Sequence, residues 1–149
     1  MPSQDAVSSL LRQPVHLDAD FVHPSHPFAL VVNVPLVTMT PENGATEVWL
    51  GTQNLGGIEA QEGKHGERAS GRIQQALLEQ RTQVRGPSQP EVQKGSMIIR
   101  DLRLWHAGMP NQAKEVRTML AMSEFVAVAV GAILLTKLQF TSLPGTETK

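Results

Sequence analysis

A mainly β domain, a β-sandwich or jelly-roll with little helix, is what this sequence predicts, and three observations predict it. Apolar runs rich in β-branched residues recur along the chain, residues that tolerate positive φ stand between them, and a single stretch has helical character. The runs are Phe28–Leu36 (FALVVNVPL), Thr46–Leu50 (TEVWL), Met97–Leu104 (MIIRDLRL) and Arg117–Met122 (RTMLAM). Asn43-Gly44 in MTPENGAT and Gly95 in EVQKGS suit tight connections between strands. Between Gln53 and Lys94 the chain turns to Gly, Gln, Glu and Arg, which predicts an excursion from the sheet with one short helix around Ser70–Arg81. The apolar stretch Phe125–Leu135 (FVAVAVGAILL) is far shorter than the roughly 20 residues a spanning helix needs, so it reads as a buried strand or core segment.

With 149 residues, 40% of them hydrophobic, one domain with one core is the expected organisation. The net charge of -1 comes from scattered groups, which excludes the basic footprint of a nucleic-acid or anionic-membrane partner and favours a small-molecule one. The absence of cysteine excludes disulfides, thiolate metal sites and a cysteine nucleophile, so any metal must be held by nitrogen and oxygen. The amino terminus lacks a basic stretch followed by an apolar run, which makes a soluble, cytoplasmic protein the expectation.

The chemistry is carried by QPVHLDAD, where His16 and Asp18 are two residues apart. In an extended segment residues i and i+2 share a face, so an imidazole and a carboxylate can converge on one ion. His106, in RLWHAGMPN, supplies a second imidazole 106 − 18 = 88 residues after Asp18. Two His and one carboxylate on one face of an octahedral ion leave its other positions open, the arrangement of non-haem iron(II) oxygenases. Arg117 follows His106 by 117 − 106 = 11 residues and opens an apolar strand, where its guanidinium fork suits a carboxylate.

The blocks QPVHLDAD, VNVPLVTMTPENGATEVWLGTQN, KGSMIIRDLRLWHAGMPN and VRTMLAM, in that order, resemble those of the phytanoyl-CoA dioxygenase family, most closely its members in fungal secondary metabolism. The resemblance runs from Gln13 to Met122. It implies a double-stranded β-helix, a cupin-like jelly-roll whose mouth holds iron(II), 2-oxoglutarate and a small organic substrate to be oxidised with O2. It further implies His16, Asp18 and His106 as the metal ligands and catalytic centre, Arg117 as the anchor of the distal 2-oxoglutarate carboxylate, and Gln13 and Thr46 as residues beside that co-substrate. Relatives carry a helical region ahead of the first ligand, whereas only fifteen residues precede His16 here; the expectation is a single dioxygenase-like domain lacking that region. A bare sheet face would follow, and with it a homodimer or poor solubility.

Two other readings remain open at this point. A catalytically degenerate jelly-roll that binds a small molecule or partner is one, and a zinc hydrolase using the same three ligands, for which no general base is placed by motif, is the other. His23 and His26, flanked by prolines, and His65 read as loop residues. Trp49 reads as core, Trp105 as core or cavity wall, and Asn33 and Arg103 as polar residues that need partners if they face inward.

Overall fold

The computed structural model describes residues 11–19, 21–63, 71–125, 128–129 and 132–133. Its strands are β1 (Ala29–Pro35), β2 (Glu47–Val48), β3 (Ile98–Asp101), β4 (His106–Ala107), β5 (Met119–Phe125), β6 (Val128–Ala129) and β7 (Ala132–Ile133), with one helix, α1 (Gln75–Val84), and a 3-10 turn at Ile58–Ala60. Two antiparallel layers result. One is the sheet β3-β1-β5 and the other is built on β2-β4, widened by bridges from His16 to His106 and from Val48 to Ser88. The small pair β6-β7 is all that is described of the apolar stretch beyond Phe125. His65 and Ser70 lie outside the described residues.

The β1 segment alternates as extended backbone does: Ala29, Val31, Asn33 and Pro35 are buried, while Leu30, Val32 and Val34 are only half-buried. The second layer supplies the facing apolar groups, and Val15, Leu17, Ala19, Val31, Trp49, Ile73, Leu102 and Trp105 form a common core. The tryptophans are both in it, which settles Trp105 as a core residue at 1% exposure.

Three boundaries differ from the sequence reading, each for a local reason. The run 97–104 stops as a strand at Asp101, because the Asp101 carboxylate accepts from the Arg103 amide (2.9 Å) and the Asp101 carbonyl accepts from Leu104 N–H (3.1 Å), turning the chain. The helix begins at Gln75 rather than near Ser70, since Arg72 and Ile73 are drawn into extended pairing, with Ile73 N–H donating to Val15 (2.9 Å). The segment 46–50 keeps a ladder only at Glu47–Val48, after which Thr52 Oγ1 bonds the Trp49 carbonyl (2.7 Å) and closes a turn.

The Asn43-Gly44 turn forms where expected. Asn43 Oδ1 accepts from Thr40 N–H (2.8 Å), and Gly44 takes φ +83°, with a would-be Cβ only 2.6 Å from the Met109 carbonyl oxygen. Gly44→Ala is therefore expected to cost about 2 kcal/mol, from left-handed backbone and from the clash. Urea unfolding measures it, and an unchanged midpoint would mean that the turn relaxes without penalty.

Candidate metal centre

The extended segment 15–19 pairs with β4 and divides its side chains by parity. Val15, Leu17 and Ala19 enter the core, so His16 and Asp18 emerge on the opposite face. His16 and His106 exchange both backbone hydrogen bonds at 2.9 Å, which makes them a directly opposed antiparallel pair with their side chains on one face. The ring centroids are 4.3 Å apart and inclined at 49°.

Hydrogen bonding then orients each ring. His16 Nδ1 lies 2.9 Å from the Pro14 carbonyl oxygen and His106 Nδ1 lies 3.0 Å from that of Leu104. A carbonyl only accepts, so both Nδ1 atoms donate and each neutral ring presents its Nε2 lone pair. These Nε2 atoms stand 3.9 and 3.6 Å from Asp18 Oδ1. One ligand atom from each of the three residues falls within 4.8 Å of the others. Burial pushes the His106 pKa down to about 4, with the nearby positive charge of Arg100 adding to the effect against an upward pull from Asp18. A neutral imidazole, the form that ligates, is the result at neutral pH. Two Nε2 atoms and one carboxylate oxygen, with both rings held through Nδ1, fit a first-row divalent metal.

The remaining expected residues are placed less centrally. Gln13 lies against Gly108, two residues after His106: its backbone N–H donates to the Gly108 carbonyl (2.9 Å) and its side-chain Oε1 accepts from Gly108 N–H (3.0 Å). Thr46 precedes Glu47, the register partner of Ala107, one residue after His106. Arg117 is half-buried, two residues ahead of β5, and shares parity with Met119 and Ala121, which lie opposite Pro35 and Asn33 on the inward side of β1.

Two features escaped sequence reasoning, Arg100 at the site and the partner that Arg103 needed. Arg100 donates through Nη2 to Asp18 Oδ2 at 2.7 Å. The signal for it was the parity of MIIRD, since Arg100 pairs with inward-facing Val31, but that parity is meaningful only once the register is known. The second is a lock behind the site: Arg103, 2% exposed, bonds both Asp101 oxygens (2.9 and 2.6 Å) and the Ser25 carbonyl (2.7 Å). Arg103 thus finds its inward partner in Asp101. His23 stacks on Phe28 in the same loop, and His26 is exposed, as loop residues.

The family model for phytanoyl-CoA dioxygenase (PhyH) matches residues 2–119. The chain belongs to that family. Among solved structures it is similar to EctD from S. alaskensis with 2-oxoglutarate and 5-hydroxyectoine, at 20% identity and TM-score 0.57 over 75% of this chain and 37% of that one. It is similar also to EctD with bound Fe, at 19% identity and TM-score 0.54 over 75% and 41%, and to the non-heme alpha ketoglutarate dependent carbocyclase SnoK from nogalamycin biosynthesis, at 18% identity and TM-score 0.57 over 77% and 43%. These likenesses establish the double-stranded β-helix. The chain spans less than half the length of each of these structures.

Proposed function

We propose that this chain is the catalytic double-stranded β-helix of an iron(II)- and 2-oxoglutarate-dependent oxygenase that oxidises a C–H bond of a small organic molecule, in secondary metabolism. The observation that carries the reading is the convergence of His16 Nε2, His106 Nε2 and Asp18 Oδ1, with each Nδ1 spent on a carbonyl. Iron, 2-oxoglutarate and O2 together supply the oxidising equivalents. The residues supply placement. His16, Asp18 and His106 would hold the ion, which with only three protein ligands could still take exogenous ones. Arg117 binds the distal carboxylate of 2-oxoglutarate, and Gln13 and Thr46 stand beside it. Support comes from family membership, from the EctD structures, which hold 2-oxoglutarate in one case and Fe in another, and from SnoK for a biosynthetic setting.

Metal analysis of anaerobically purified protein tests the reading, followed by titration with 2-oxoglutarate. One equivalent of iron and metal-dependent 2-oxoglutarate binding are expected. Protein that retains no divalent metal, or that holds zinc and ignores 2-oxoglutarate, would overturn it.

The proposal includes self-association. On the outward side of the sheet, Ile99, Val32 and Met122 form one row across β3, β1 and β5, with Leu120 beside them, and Ile99, Leu120 and Met122 are exposed. Contiguous apolar surface of this kind favours association. Light scattering is expected to show a concentration-dependent dimer, and a monomer over a wide concentration range would refute it. Among the described residues no helix is long and apolar enough to cross a membrane.

A further inference from the structure

We infer that Arg100 is a positioning residue for the metal carboxylate and, through its second terminal nitrogen, the donor that receives the metal-proximal carboxylate of a 2-oxo acid. The inference rests on the oxygenase reading above and adds to it a residue that no motif marked. Arg100 sits on β3 opposite Val31, on the inward side of the sheet, and its side chain is 12% exposed. Nη2 holds Asp18 Oδ2 at 2.7 Å while Oδ1 faces the two imidazoles. Dividing the two oxygens in this way makes Asp18 a one-oxygen ligand. A carboxylate free to rotate could offer both oxygens and consume a coordination position that an exogenous ligand needs.

The other terminal nitrogen is the less ordinary feature. Arg100 Nη1 is closed off from solvent and has no hydrogen-bond partner among the described residues. A buried N–H without a partner is costly, and a cationic one more so, which makes such a group a marker of a missing ligand. The planar guanidinium keeps Nη1 beside Nη2, and therefore beside the carboxylate end of the metal cluster. A carboxylate oxygen arriving on the metal would meet this donor and make a charge-assisted bond. Arg117, by contrast, stands two residues before β5, on the far side of β1 from β3, and is displaced along β1 from Arg100, which pairs with Val31 whereas Met119 pairs with Pro35.

Arg100→Lys and Arg100→Gln separate the two roles. Calorimetry with manganese(II) reads the first: Lys keeps a cation for Asp18 and should bind the metal as wild type does, whereas Gln should weaken it about 10- to 100-fold. Titration of the manganese-loaded proteins with 2-oxoglutarate, and with pyruvate, which lacks the distal carboxylate, reads the second. Both ligands should weaken about tenfold or more in both variants, because neither side chain provides a second charged donor. Unchanged affinity for both ligands overturns the inference, as does weakening of 2-oxoglutarate alone, which would place the contact at the distal end. A merely structural role would lower the melting temperature of Arg100→Lys and leave its affinities at wild-type values, which also overturns it. Wild-type protein that fails to bind manganese would remove the oxygenase reading itself, a result distinct from normal wild-type binding with indifferent variants.

Discussion

Arg117→Ala is expected to raise the dissociation constant for 2-oxoglutarate about a hundredfold or more while the metal still binds. The half-buried guanidinium shares parity with residues opposite the inward side of β1. A guanidinium and a carboxylate meet as two parallel charge-assisted bonds, and removing the cation leaves an anion desolvated and unpaired. At about 1.4 kcal/mol per tenfold, two orders of magnitude correspond to roughly 2.8 kcal/mol, within the range for a lost bidentate pair. Arg117→Lys should recover only part of the loss, because an ammonium cannot reproduce the fork. Calorimetric titration of the manganese-loaded protein decides the matter. Equal affinity in wild type and Arg117→Ala would remove Arg117 from the co-substrate site.

The larger effect on folding is expected at Arg103. Its guanidinium joins Asp101 at the end of β3 to the Pro24 and Ser25 carbonyls, so one side chain ties the loop after Asp18 to the turn that leads into His106. Arg103→Met leaves the Asp101 carboxylate largely buried without its cation, and a loss of about 3–5 kcal/mol is expected from equilibrium unfolding. A loss under about 1 kcal/mol would show that the lock is dispensable. The acid limb of the stability curve carries a second signature. Burial raises the pKa of Asp101, but the Arg103 side-chain bonds, the Arg103 amide and the Arg103 charge outweigh it, and the net shift is downward from 3.8. A carboxyl whose pKa is depressed on folding contributes stability that is complete above its unfolded pKa and is lost as pH falls through the folded one. Wild-type protein should therefore lose part of its advantage over Arg103→Met below about pH 4, and a difference that stays constant down to pH 2 would contradict the assignment.

What the sequence made legible follows from the range of each interaction. His16 and Asp18 were readable because extended backbone repeats every two residues, and the same parity that buries Val15 and Leu17 turns these two proposed ligands to the other face of the segment. The strand β1 was readable to within a residue at each end, bounded as it is by Phe28 and Leu36. Elements decided by distant partners were not. The start of α1 depends on Ile73 pairing with Val15, and the end of β3 depends on a carboxylate folding back on Arg103. Arg100 illustrates the limit most clearly: its neighbour Asp18 is 100 − 18 = 82 residues away, and nothing in either local pattern announces the contact. Asn33 and Arg103 were recognised as polar residues in need of an explanation. Only for Arg103 does the structure name the partner, since that partner lies two residues off.

The pairing of His16 with His106 also bears on folding. The pair closes a loop of 106 − 16 = 90 residues. For a chain of that length the entropic cost of bringing the ends together is roughly 4 kcal/mol, and no local contact can offset it in advance. The ligand set therefore cannot exist in a collapsed intermediate that has formed β1 with β3 but has not yet recruited the amino-terminal segment. If these residues hold a metal as proposed, its uptake reports the closure that brings segment 15–19 onto β4. Under the proposed metal reading, a bound divalent ion should slow unfolding, because it clasps two segments far apart in the chain.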